Sequence, residues 1–437
     1  MWFDESVFYQ IYPLGYCGAE RENDYKETRH RLHKIKDEIS SIQKLGVKAV
    51  LFNPLFESER HGYDTIDFFK VDRRLGTNEE FKELVQEFHK AGIRVLLDGV
   101  FHHTGREFMP FKEVRQKRES TDYRFWFHIN FNGNSCYNDG FDYQNWEGHP
   151  TLVKLRLENN DLVNYLMDAV RFWIREFDID GLRLDVCYSL PYWFLERLRM
   201  EVNALKSDFF LMGEVIHIGN YREALQENRI NSITNYECYK GLVSAFNSDN
   251  LFEIEHSLTR LFGAQPWCLY TGKNLFSFAD NHDVVRLATQ LTDRRKIYAL
   301  YTVLFTMPGI PCVYYGSEYG AEGNKGDGDI HLRPAIENID KSANPELFAH
   351  LQKLCSIRNT SRALAYGSYE KRVLQNKYFC FERKIDGETI YTAANISDVP
   401  VSFYVADGEG EDLLSGEACA LNNLCLSPFS SKVIRRK

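Results

Sequence analysis

The chain has 437 residues, more than one ordinary domain holds, so we expect one large domain accompanied by smaller ones. Its formal net charge of -9 argues against a nucleic-acid partner and against an anionic membrane surface. No stretch approaches the ~20 uninterrupted apolar residues of a membrane span, and the first residues carry acid where a signal peptide carries base. The ten cysteines show no CxxC or zinc-ligand spacing, which favours reduced thiols and a cytoplasmic location.

Short apolar strands alternate with amphipathic helices along most of the chain. The first strand is stopped by Pro13, and the second is apolar enough to be buried on both faces. Eight strands are predicted, at residues 7–13, 47–52, 93–97, 182–186, 209–212, 232–236, 275–278 and 312–315. Eight strands that alternate with helices predict an α/β fold of the (β/α)₈ or TIM-barrel type rather than an open sheet.

The helices between these strands are predicted from apolar residues at helical spacing. Residues 32–45 are predicted to form one helix, which ends at Gly46. Thr77 and Glu80 have the spacing of a capping box at the start of the next helix. A third apolar stripe, at residues 162–177, precedes the fourth strand.

The alternation is interrupted between residues 103 and 151 and stops after residue 361. The interrupting segment is aromatic, rich in Asn and Gly, and without a clear helix, so we expect an insertion on the C-terminal face of the barrel, where TIM barrels carry out catalysis. Alternating apolar residues and a hairpin signal at Asp386-Gly387 predict a C-terminal antiparallel β-sandwich. The predicted domains are residues 1–102 and 152–361 for the barrel, 103–151 for the insertion and 362–437 for the C-terminal domain.

Polar residues follow four of the predicted strands. They are Asp98, His102 and His103 after the third strand, Arg183 and Asp185 at the fourth, Glu214 after the fifth, and Asp280 to Asp283 after the seventh. Because strand ends in a barrel converge on one mouth, we expect these side chains to lie close together. Carboxylates crowded into one mouth repel one another, so one of them must have a raised pKa. Because carboxylates that repel one another destabilise the fold, their gathering at one mouth indicates a functional site.

Arg183 and Asp185 stand two residues apart, so on a strand they share a face. The guanidinium is expected to hold the Asp185 carboxylate ionised, as a covalent nucleophile requires. Taken alone, such a pair is more often structural, and Asp180 nearby is better explained as a turn residue. With a second carboxyl that stays protonated, however, the pair meets the requirement for glycoside hydrolysis.

Six motifs, in this order, resemble those of the α-amylase family of glycoside hydrolases over essentially the whole chain. They are Gly62 to Asp67, Asp98 to His103, Gly181 to Asp185, Gly213 to Val215, Asn281 to Asp283 and Gly309 to Glu318. The resemblance implies that Asp185 is the nucleophile, Glu214 the general acid/base, and Asp283 the residue that holds the 2- and 3-hydroxyls of the distorted sugar. It also implies a retaining mechanism, for which the working carboxyls should lie ~5–5.5 Å apart.

The resemblance further implies five substrate-binding residues. His103 and His282 would donate hydrogen bonds to hydroxyls of the same sugar ring, and Tyr63 would stack on that ring. Arg183 would orient the nucleophile, and Asp98 would brace Arg183. The competing interpretation, that the two histidines are packed core residues, loses weight because both stand within the family motifs.

Within the family, the motifs are most similar to the neopullulanase, cyclomaltodextrinase and maltogenic amylase branch. Residues 172–181, Lys154-Leu155 and Val186 carry this similarity. The branch commonly has an extra N-terminal β-domain that builds its dimer, whereas here the barrel is predicted to begin almost at Met1. The branch also favours Trp where this chain has Ile216. The oligomeric state, monomer or homodimer, and the tolerance of α-1,6 branches are therefore left open.

No cofactor is required by this chemistry, and we expect no calcium at the family's usual site between barrel and insertion. His102 stands where that site uses an Asn, and Tyr188-Ser189 replaces the Lys-His found in secreted amylases. Calcium prefers carbonyl and carboxylate oxygens to imidazole nitrogens. We also expect no metal site from His102 and His103 together, because adjacent strand residues face opposite sides.

We expect a hydrolase that cleaves α-1,4 bonds of maltodextrins or related α-glucan oligosaccharides, cyclodextrins included. A transglycosylase (glucanotransferase) or an α-1,6-glucosidase of the same family would use the same residues, so the sequence leaves these alternatives open. Some relatives lose the carboxylates and act as carbohydrate-binding or partner proteins, and the presence of Asp185, Glu214 and Asp283 argues against that alternative. A barrel enzyme of another chemistry would need a phosphate loop or a metal cluster, and the sequence shows neither.

Overall fold

The computed structural model describes the backbone of all 437 residues and every side chain except that of Asp327. The strands, in chain order, are β1 (Phe8–Ile11), β2 (Ala49–Phe52), β3 (Phe56–Ser58), β4 (Thr65–Val71), β5 (Arg94–Gly99), β6 (His103–Thr104), β7 (Ile129–Asn130), β8 (Asp142–Tyr143), β9 (Asn145–Trp146), β10 (His149–Lys154), β11 (Gly181–Leu184), β12 (Phe210–Gly213), β13 (Ser232–Ile233), β14 (Phe276–Phe278), β15 (Ile310–Tyr314), β16 (Ser368–Leu374), β17 (Tyr378–Ile385), β18 (Glu388–Asn395), β19 (Val401–Phe403), β20 (Glu409–Asp412), β21 (Ala418–Ala420), β22 (Leu424–Leu426) and β23 (Ser430–Arg436).

The α-helices, in chain order, are α1 (Pro13–Tyr16), α2 (His33–Lys36), α3 (Ile39–Leu45), α4 (Asn78–Lys90), α5 (Met109–Lys117), α6 (Asn160–Phe177), α7 (Tyr192–Leu205), α8 (Tyr236–Ser248), α9 (Phe252–Phe262), α10 (Leu287–Gln290), α11 (Ile297–Thr306), α12 (Pro345–Thr360) and α13 (Arg362–Tyr366). Short 3₁₀ turns lie at Trp2–Glu5, Arg118–Ser120, Asp122–Trp126, Cys187–Ser189, Arg294–Lys296, Ser317–Tyr319, Lys325–Asp327, Asp329–His331 and Ile336–Asn338. Among the helices that the structure describes, none is long and apolar enough to cross a membrane.

Eight parallel strands form the central sheet, in the order β13-β12-β11-β5-β2-β1-β15-β14. The two outer strands meet where Thr234 pairs with Phe276 and the Asn235 N–H donates to the Phe276 carbonyl at 2.8 Å, which closes the sheet on itself. Neighbours around the ring are consecutive barrel strands, as helical crossover connections require. The predicted TIM barrel is confirmed.

Alternate residues of the barrel strands point into the barrel. Their lower layers form an apolar cluster that includes Phe8, Ala49, Leu51, Leu96, Phe210, Met212, Phe276, Phe278, Ile310 and Cys312. The same alternation continues two residues further along each strand, where Gln10 follows Phe8, Asp98 follows Leu96 and Glu214 follows Met212. The barrel is therefore filled by apolar side chains below and presents polar side chains above, at the C-terminal ends of its strands.

An aspartate, and not a glycine, makes the turn that leads into β11. The left-handed residue that ends α6 is Asp178, with φ 57°. Gly181 lies inside the sheet, where a Cβ atom would stand 2.6 Å from the Phe210 carbonyl oxygen. Gly181 is therefore required by the close approach of β11 and β12, and the turn itself is made by an aspartate, one of the few residue types that tolerate this conformation.

The first predicted helix is wrong in one respect, because residues 32–45 form two short helices, α2 and α3. The helix is interrupted at Asp37, which is the C-cap residue of α2, and at Glu38, which is the N-cap residue of α3. The apolar spacing continues across the break because both pieces pack against the same core, so the break is not visible in the pattern. The capping box of α4 is confirmed, since the Glu80 N–H donates to Thr77 Oγ1 at 3.3 Å and the Thr77 N–H donates to Glu80 Oε2 at 2.8 Å.

The insertion contains a nine-residue helix, α5, so the prediction of a segment without a helix is wrong. Only Pro110, Phe111 and Val114 of α5 are buried, and so short an apolar stripe does not stand out in the sequence. The other main element is an antiparallel sheet of β6, β10 and β9. Strand β10 runs across the boundary predicted at residue 151.

The C-terminal domain is antiparallel, as predicted. Its main sheet has the order β16-β17-β18-β23-β20-β21, and a second layer consists of β19 and β22 alone. Apolar residues that include Tyr391, Leu424 and Ile434 pack together as the core of the domain. The hairpin around Asp386-Gly387 is confirmed by continuous pairing of β17 with β18.

Candidate active site

A cleft of about 710 Å³ opens at the C-terminal ends of the barrel strands, a volume within the usual range for small-molecule sites. The three predicted catalytic residues, Asp185, Glu214 and Asp283, all line it, together with Tyr63 and His103. Asp185 and Glu214 directly follow β11 and β12, and Asp283 stands five residues beyond β14. The closed barrel therefore gathers side chains from Tyr63 to Asp283, 220 residues apart in the sequence, into one mouth.

Arg183 joins the carboxylates at the bottom of this cleft. Its Nη1 donates to both oxygens of Asp98, at 2.7 and 2.5 Å, and to Asp185 Oδ1 at 3.2 Å. Its Nη2 lies 2.6 Å from Glu214 Oε1. Arg183 and Asp98 are direct partners in the register of β11 and β5. The guanidinium is thus fixed from behind by Asp98 and holds the two predicted working carboxyls side by side.

The charge state of Asp185 differs from the expectation. Burial raises the pKa of Asp185 well above its usual range, the Glu214 carboxylate raises it further, and Arg183 only partly offsets these effects. The expectation that Arg183 holds Asp185 ionised is wrong because its charge is divided among three carboxylates and Glu214, at 2.6 Å, is closer than Asp185, at 3.2 Å.

Asp283 is held in the opposite state, as a carboxylate. Burial would raise its pKa, but a hydrogen bond from His282 and the charge of Arg333 outweigh burial, so the pKa of Asp283 lies well below its usual range. His282 Nε2 lies 3.0 Å from Asp283 Oδ2, and Arg333 Nη2 lies 2.9 Å from Oδ1. Arg333 is not among the predicted site residues because it lies in the irregular loop beyond β15, where no strand pattern marks it.

His103 presents an unused polar atom to the cleft. Its Nε2 lies 3.9 Å from Asp185 Oδ2 and, within the described part of the chain, has no hydrogen-bond partner. Burial, assisted by His102, lowers the pKa of His103 well below its usual range, so the ring is neutral. The expectation that His102 and His103 face opposite sides is wrong, since their Nδ1 atoms are 3.2 Å apart. Only His103 belongs to a strand, so the alternation of strand side chains does not apply to His102.

The remaining predicted residues, Tyr63 and His282, belong to a buried polar network. Their rings are stacked with centroids 5.7 Å apart, and Tyr63 Oη contacts His282 Nε2 and donates to Asp98 Oδ2 at 3.1 Å. Gln10 and Asn53 complete the network and were not predicted. A signal for them exists in the sequence, because Gln10 is a polar residue in an apolar strand and Asn53 directly follows another.

This geometry agrees with the comparison against known protein families. The profile of the catalytic domain of alpha amylase matches residues 10–354. The chain belongs to the α-amylase family of glycoside hydrolases. The predicted family resemblance is therefore confirmed, and the barrel with its antiparallel C-terminal domain is the architecture of that family.

Individual relatives cover most of the chain. A cyclomaltodextrinase from a Bacillus species is 30% identical over 423 residues, which are 90% of this chain and 73% of that protein. A maltogenic alpha-amylase from Bacillus acidopullulyticus is 29% identical over 448 residues, covering 97% and 75% of the two chains. A solved cyclomaltodextrinase structure superposes with a TM-score of 0.86 at 29% identity and covers 100% of this chain and 78% of its own. These relatives carry the names of the branch that the motifs resemble.

The insertion of this α-amylase family barrel reaches over the cleft. Strands β9 and β10 are joined by Glu147 and Gly148, both with positive φ (45° and 85°), as in the tightest hairpin turns. The rings of Trp146 and His149 are stacked with their centroids 5.1 Å apart, and both rings line the cleft. Tyr188, in the loop that follows β11, donates to Glu147 Oε1 at 2.9 Å. The hairpin is therefore tied to the barrel directly above the carboxylates.

Asp180 lies outside the site, as expected. It stands at the N-terminal end of β11, away from the cleft, where His89, Lys206 and Arg94 surround it at 2.8, 2.9 and 3.2 Å. Its carboxylate also accepts a hydrogen bond from the Val95 N–H at 2.9 Å. These contacts tie the start of β11 to its neighbours and have no part in the chemistry of the cleft.

Proposed function

We propose that this protein hydrolyses α-1,4-glucosidic bonds of maltodextrins and cyclodextrins with retention of configuration. The observation that carries the proposal is the single cleft in which Asp185 and Glu214 share one guanidinium while Asp283 faces them as a carboxylate. The names of the relatives, cyclomaltodextrinase and maltogenic alpha-amylase, support this substrate class. Aromatic residues along the cleft, among them Trp146 and Tyr188, provide flat apolar faces of the kind on which sugar rings stack.

In the first step Asp185 attacks the anomeric carbon while Glu214 gives its proton to the glycosidic oxygen. The bond between sugar and leaving chain breaks, the leaving chain departs with the proton, and a covalent bond joins the sugar to Asp185. In this step the Glu214 carboxyl supplies the proton and Asp185 reacts as the carboxylate. Arg183 then remains 3.2 Å from the Asp185 carboxylate, and His103 Nε2 lies 3.9 Å from its other oxygen.

In the second step a water molecule replaces the leaving chain. Glu214, now a carboxylate, removes a proton from the water, whose oxygen attacks the anomeric carbon and releases Asp185. Two inversions at the same carbon give net retention. Positive charge on the ring in both transition states is stabilised by Asp283, which His282 and Arg333 hold as a carboxylate.

Product analysis tests this proposal. The purified chain is incubated with maltoheptaose, a cyclodextrin, pullulan and sucrose, and the products are separated while proton NMR follows the anomeric configuration. We expect shorter maltooligosaccharides, released first as the α-anomer, and no cleavage by a Glu214→Gln variant. Products longer than the substrate would assign the chain to transglycosylation instead, and a β-anomer released first would contradict the assigned mechanism.

We propose, separately, that the enzyme needs no calcium between the barrel and the insertion. His102 occupies the ligand position, and Lys154 and His128 lie close enough that, after burial, they help lower the pKa of His102 to about 4. A neutral imidazole beside an ammonium group is a poor environment for a divalent cation, so the residues present do not fit the ion. Metal analysis after dialysis against calcium tests this, together with the melting temperature with and without EDTA. One tightly bound calcium per chain would contradict it.

We also propose that the protein works in the cytoplasm. All ten cysteines are thiols in the described chain, and most of them are buried. Exposed thiols such as Cys136 and Cys425 persist in a reducing compartment. Fractionation of the source cells, with activity on maltoheptaose as the readout, tests the location, and activity confined to the medium would contradict it.

A further inference from the structure

We propose that Gln10 and Asn53 are positioning residues that fix His282 as the neutral tautomer with its proton on Nε2, the nitrogen on the cleft side of the ring. The proposal deepens the proposed function, on which its catalytic consequence rests. It follows from a series of hydrogen bonds that starts at the Asp98 carboxylate, which can only accept.

The series of hydrogen bonds starts at Asp98. Its carboxylate receives two hydrogen bonds from Arg183 Nη1, at 2.7 and 2.5 Å, and lies 2% exposed below the cleft. A carboxylate paired with an arginine can only accept hydrogen bonds. Every other group that contacts Asp98 must therefore present a donor.

Asn53 is the first group oriented in this way. The atom that faces Asp98 Oδ2, at 3.1 Å, must be the amide nitrogen, because an amide oxygen there would be repelled by the carboxylate. The Asn53 oxygen is then directed towards Gln10. Asn53 is fully buried, so water does not compete for either atom.

Gln10 is oriented next. The Asn53 oxygen accepts at 2.8 Å from an atom of Gln10 that must be its amide nitrogen. The same nitrogen lies 3.0 Å from His282 Nδ1 and has a second hydrogen to donate. Nδ1 must therefore be an acceptor, which places the single proton of a neutral imidazole on Nε2.

The Nε2–H is directed at Asp283 and Tyr63 on the cleft side. The Asn53 amide nitrogen lies 3.4 Å from Nε2, but its two hydrogens point to Asp98 Oδ2 at 3.1 Å and to Tyr63 Oη at 3.3 Å. Asp283 Oδ2 lies 3.0 Å away, and Tyr63 Oη is in contact while its own O–H donates a hydrogen bond to Asp98 Oδ2. In the other tautomer, the lone pair of Nε2 would face the Asp283 carboxylate and repel it. The relay thus holds the Asp283 oxygens in the position from which they grip the sugar hydroxyls, although neither Gln10 nor Asn53 is among the residues lining the cleft.

The tautomer can be measured directly in the resting protein by ¹⁵N NMR with labelled histidine. His282 is one of 13 histidines, and its resonances are assigned by their loss in His282→Asn. We expect Nδ1 to resonate as an unprotonated and Nε2 as a protonated nitrogen. A Gln10→Glu variant replaces the donor with an acceptor and should transfer the proton to Nδ1. Protonated Nδ1 in the unmodified protein, or an unchanged tautomer in the variant, would overturn the proposal.

Kinetics measure the consequence for catalysis. Gln10→Glu should lower kcat on maltoheptaose about 10- to 100-fold while KM changes less, because a carboxylate displaced by a fraction of an ångström fails mainly in the transition state. Gln116→Glu, the same change at an exposed site on α5, is the matched control and should leave both constants unchanged. Equal kcat values for Gln10→Glu and Gln116→Glu would show that the orientation of His282 by Gln10 does not matter for catalysis, and would overturn this part of the proposal. If the unmodified protein fails to cleave maltoheptaose, the proposed function fails, and the NMR result still decides the tautomer.

Discussion

At the scale of single residues, the catalytic prediction concerns Asp185. Asp185→Asn keeps the shape and the contact with Arg183 but removes the nucleophilic oxygen, so kcat should fall by several orders of magnitude while substrate affinity changes little. Steady-state kinetics and equilibrium binding of maltoheptaose to the variant measure both quantities. Near-full turnover by Asp185→Asn would remove Asp185 from the mechanism.

The buried carboxyl of Glu318 is expected to make the free energy of unfolding depend on pH. It is 3% exposed, accepts a hydrogen bond from Tyr9 at 2.6 Å, and burial raises the pKa of Glu318 to about 7. Because the pKa is higher in the folded than in the unfolded chain, folding favours the protonated acid. Stability is thus lost as pH rises from the unfolded pKa towards 7, by about 3 kcal/mol in total.

Glu318→Gln should remove this loss. The variant should be more stable than the unmodified protein at pH 8, and the difference should shrink as the pH falls towards 5, as measured by urea unfolding across that range. Glu227→Gln, at an exposed site, is the control and should show no such trend. A Glu318→Gln protein with the same pH dependence as the unmodified one would show that Glu318 does not titrate in this window.

At the scale of elements, the capping box of α4 predicts a defined loss of stability. Thr77→Ala removes the side chain that accepts from the Glu80 N–H, so the free energy of unfolding should fall by about 1 kcal/mol. Thr77→Ser retains the hydroxyl and should lose much less. Urea denaturation of both variants measures the difference, and equal stability of the alanine and serine variants would contradict a capping role.

The cleft is lined by residues of the insertion as well as by residues at the ends of the barrel strands. The β9–β10 hairpin places Trp146 over the cleft, and its turn depends on positive φ at Glu147 and Gly148. The hydrogen bond from Tyr188 to Glu147 joins this hairpin to the loop that follows Asp185. The insertion is thus a wall of the active site, and its position is set by the same loop that carries Asp185.

At the scale of the whole molecule, Arg383 joins the C-terminal domain to the barrel. It is 1% exposed and donates to the carbonyls of Thr306, Gly367 and Ser368 at 3.0, 3.0 and 3.3 Å. Thr306 is the last residue of α11, where carbonyls lack partners within the helix and attract a cation. The two domains are therefore expected to unfold together.

Arg383→Ala should lower the free energy of unfolding by about 3 kcal/mol or more, because it leaves buried carbonyls without donors and opens a cavity. Calorimetry should show one transition for the unmodified protein and a transition at lower temperature for the variant. Arg435→Ala, at an exposed site on β23, is the control and should change little. Two well-separated transitions in the unmodified protein would contradict the coupling of the domains.

The sequence by itself determined the barrel, its eight strands and the side chains that follow them. Strand and helix periods are local properties of the chain, and the polar residues after Leu96 and Met212 continue the inward alternation of those strands. The same period places Asp98 and Glu214 at one mouth once the sheet closes. It did not locate Arg333, which lies in a loop where no period applies.

Only the tertiary structure decided the electrostatics. The sequence places Arg183 beside Asp185, but the distances to Asp98 and Glu214 show that the guanidinium serves three carboxylates. Burial, which no linear pattern reports, then raises the pKa of Asp185 and lowers that of His103. Charge states depend on desolvation and on neighbours brought from distant strands, so they are properties of the folded molecule.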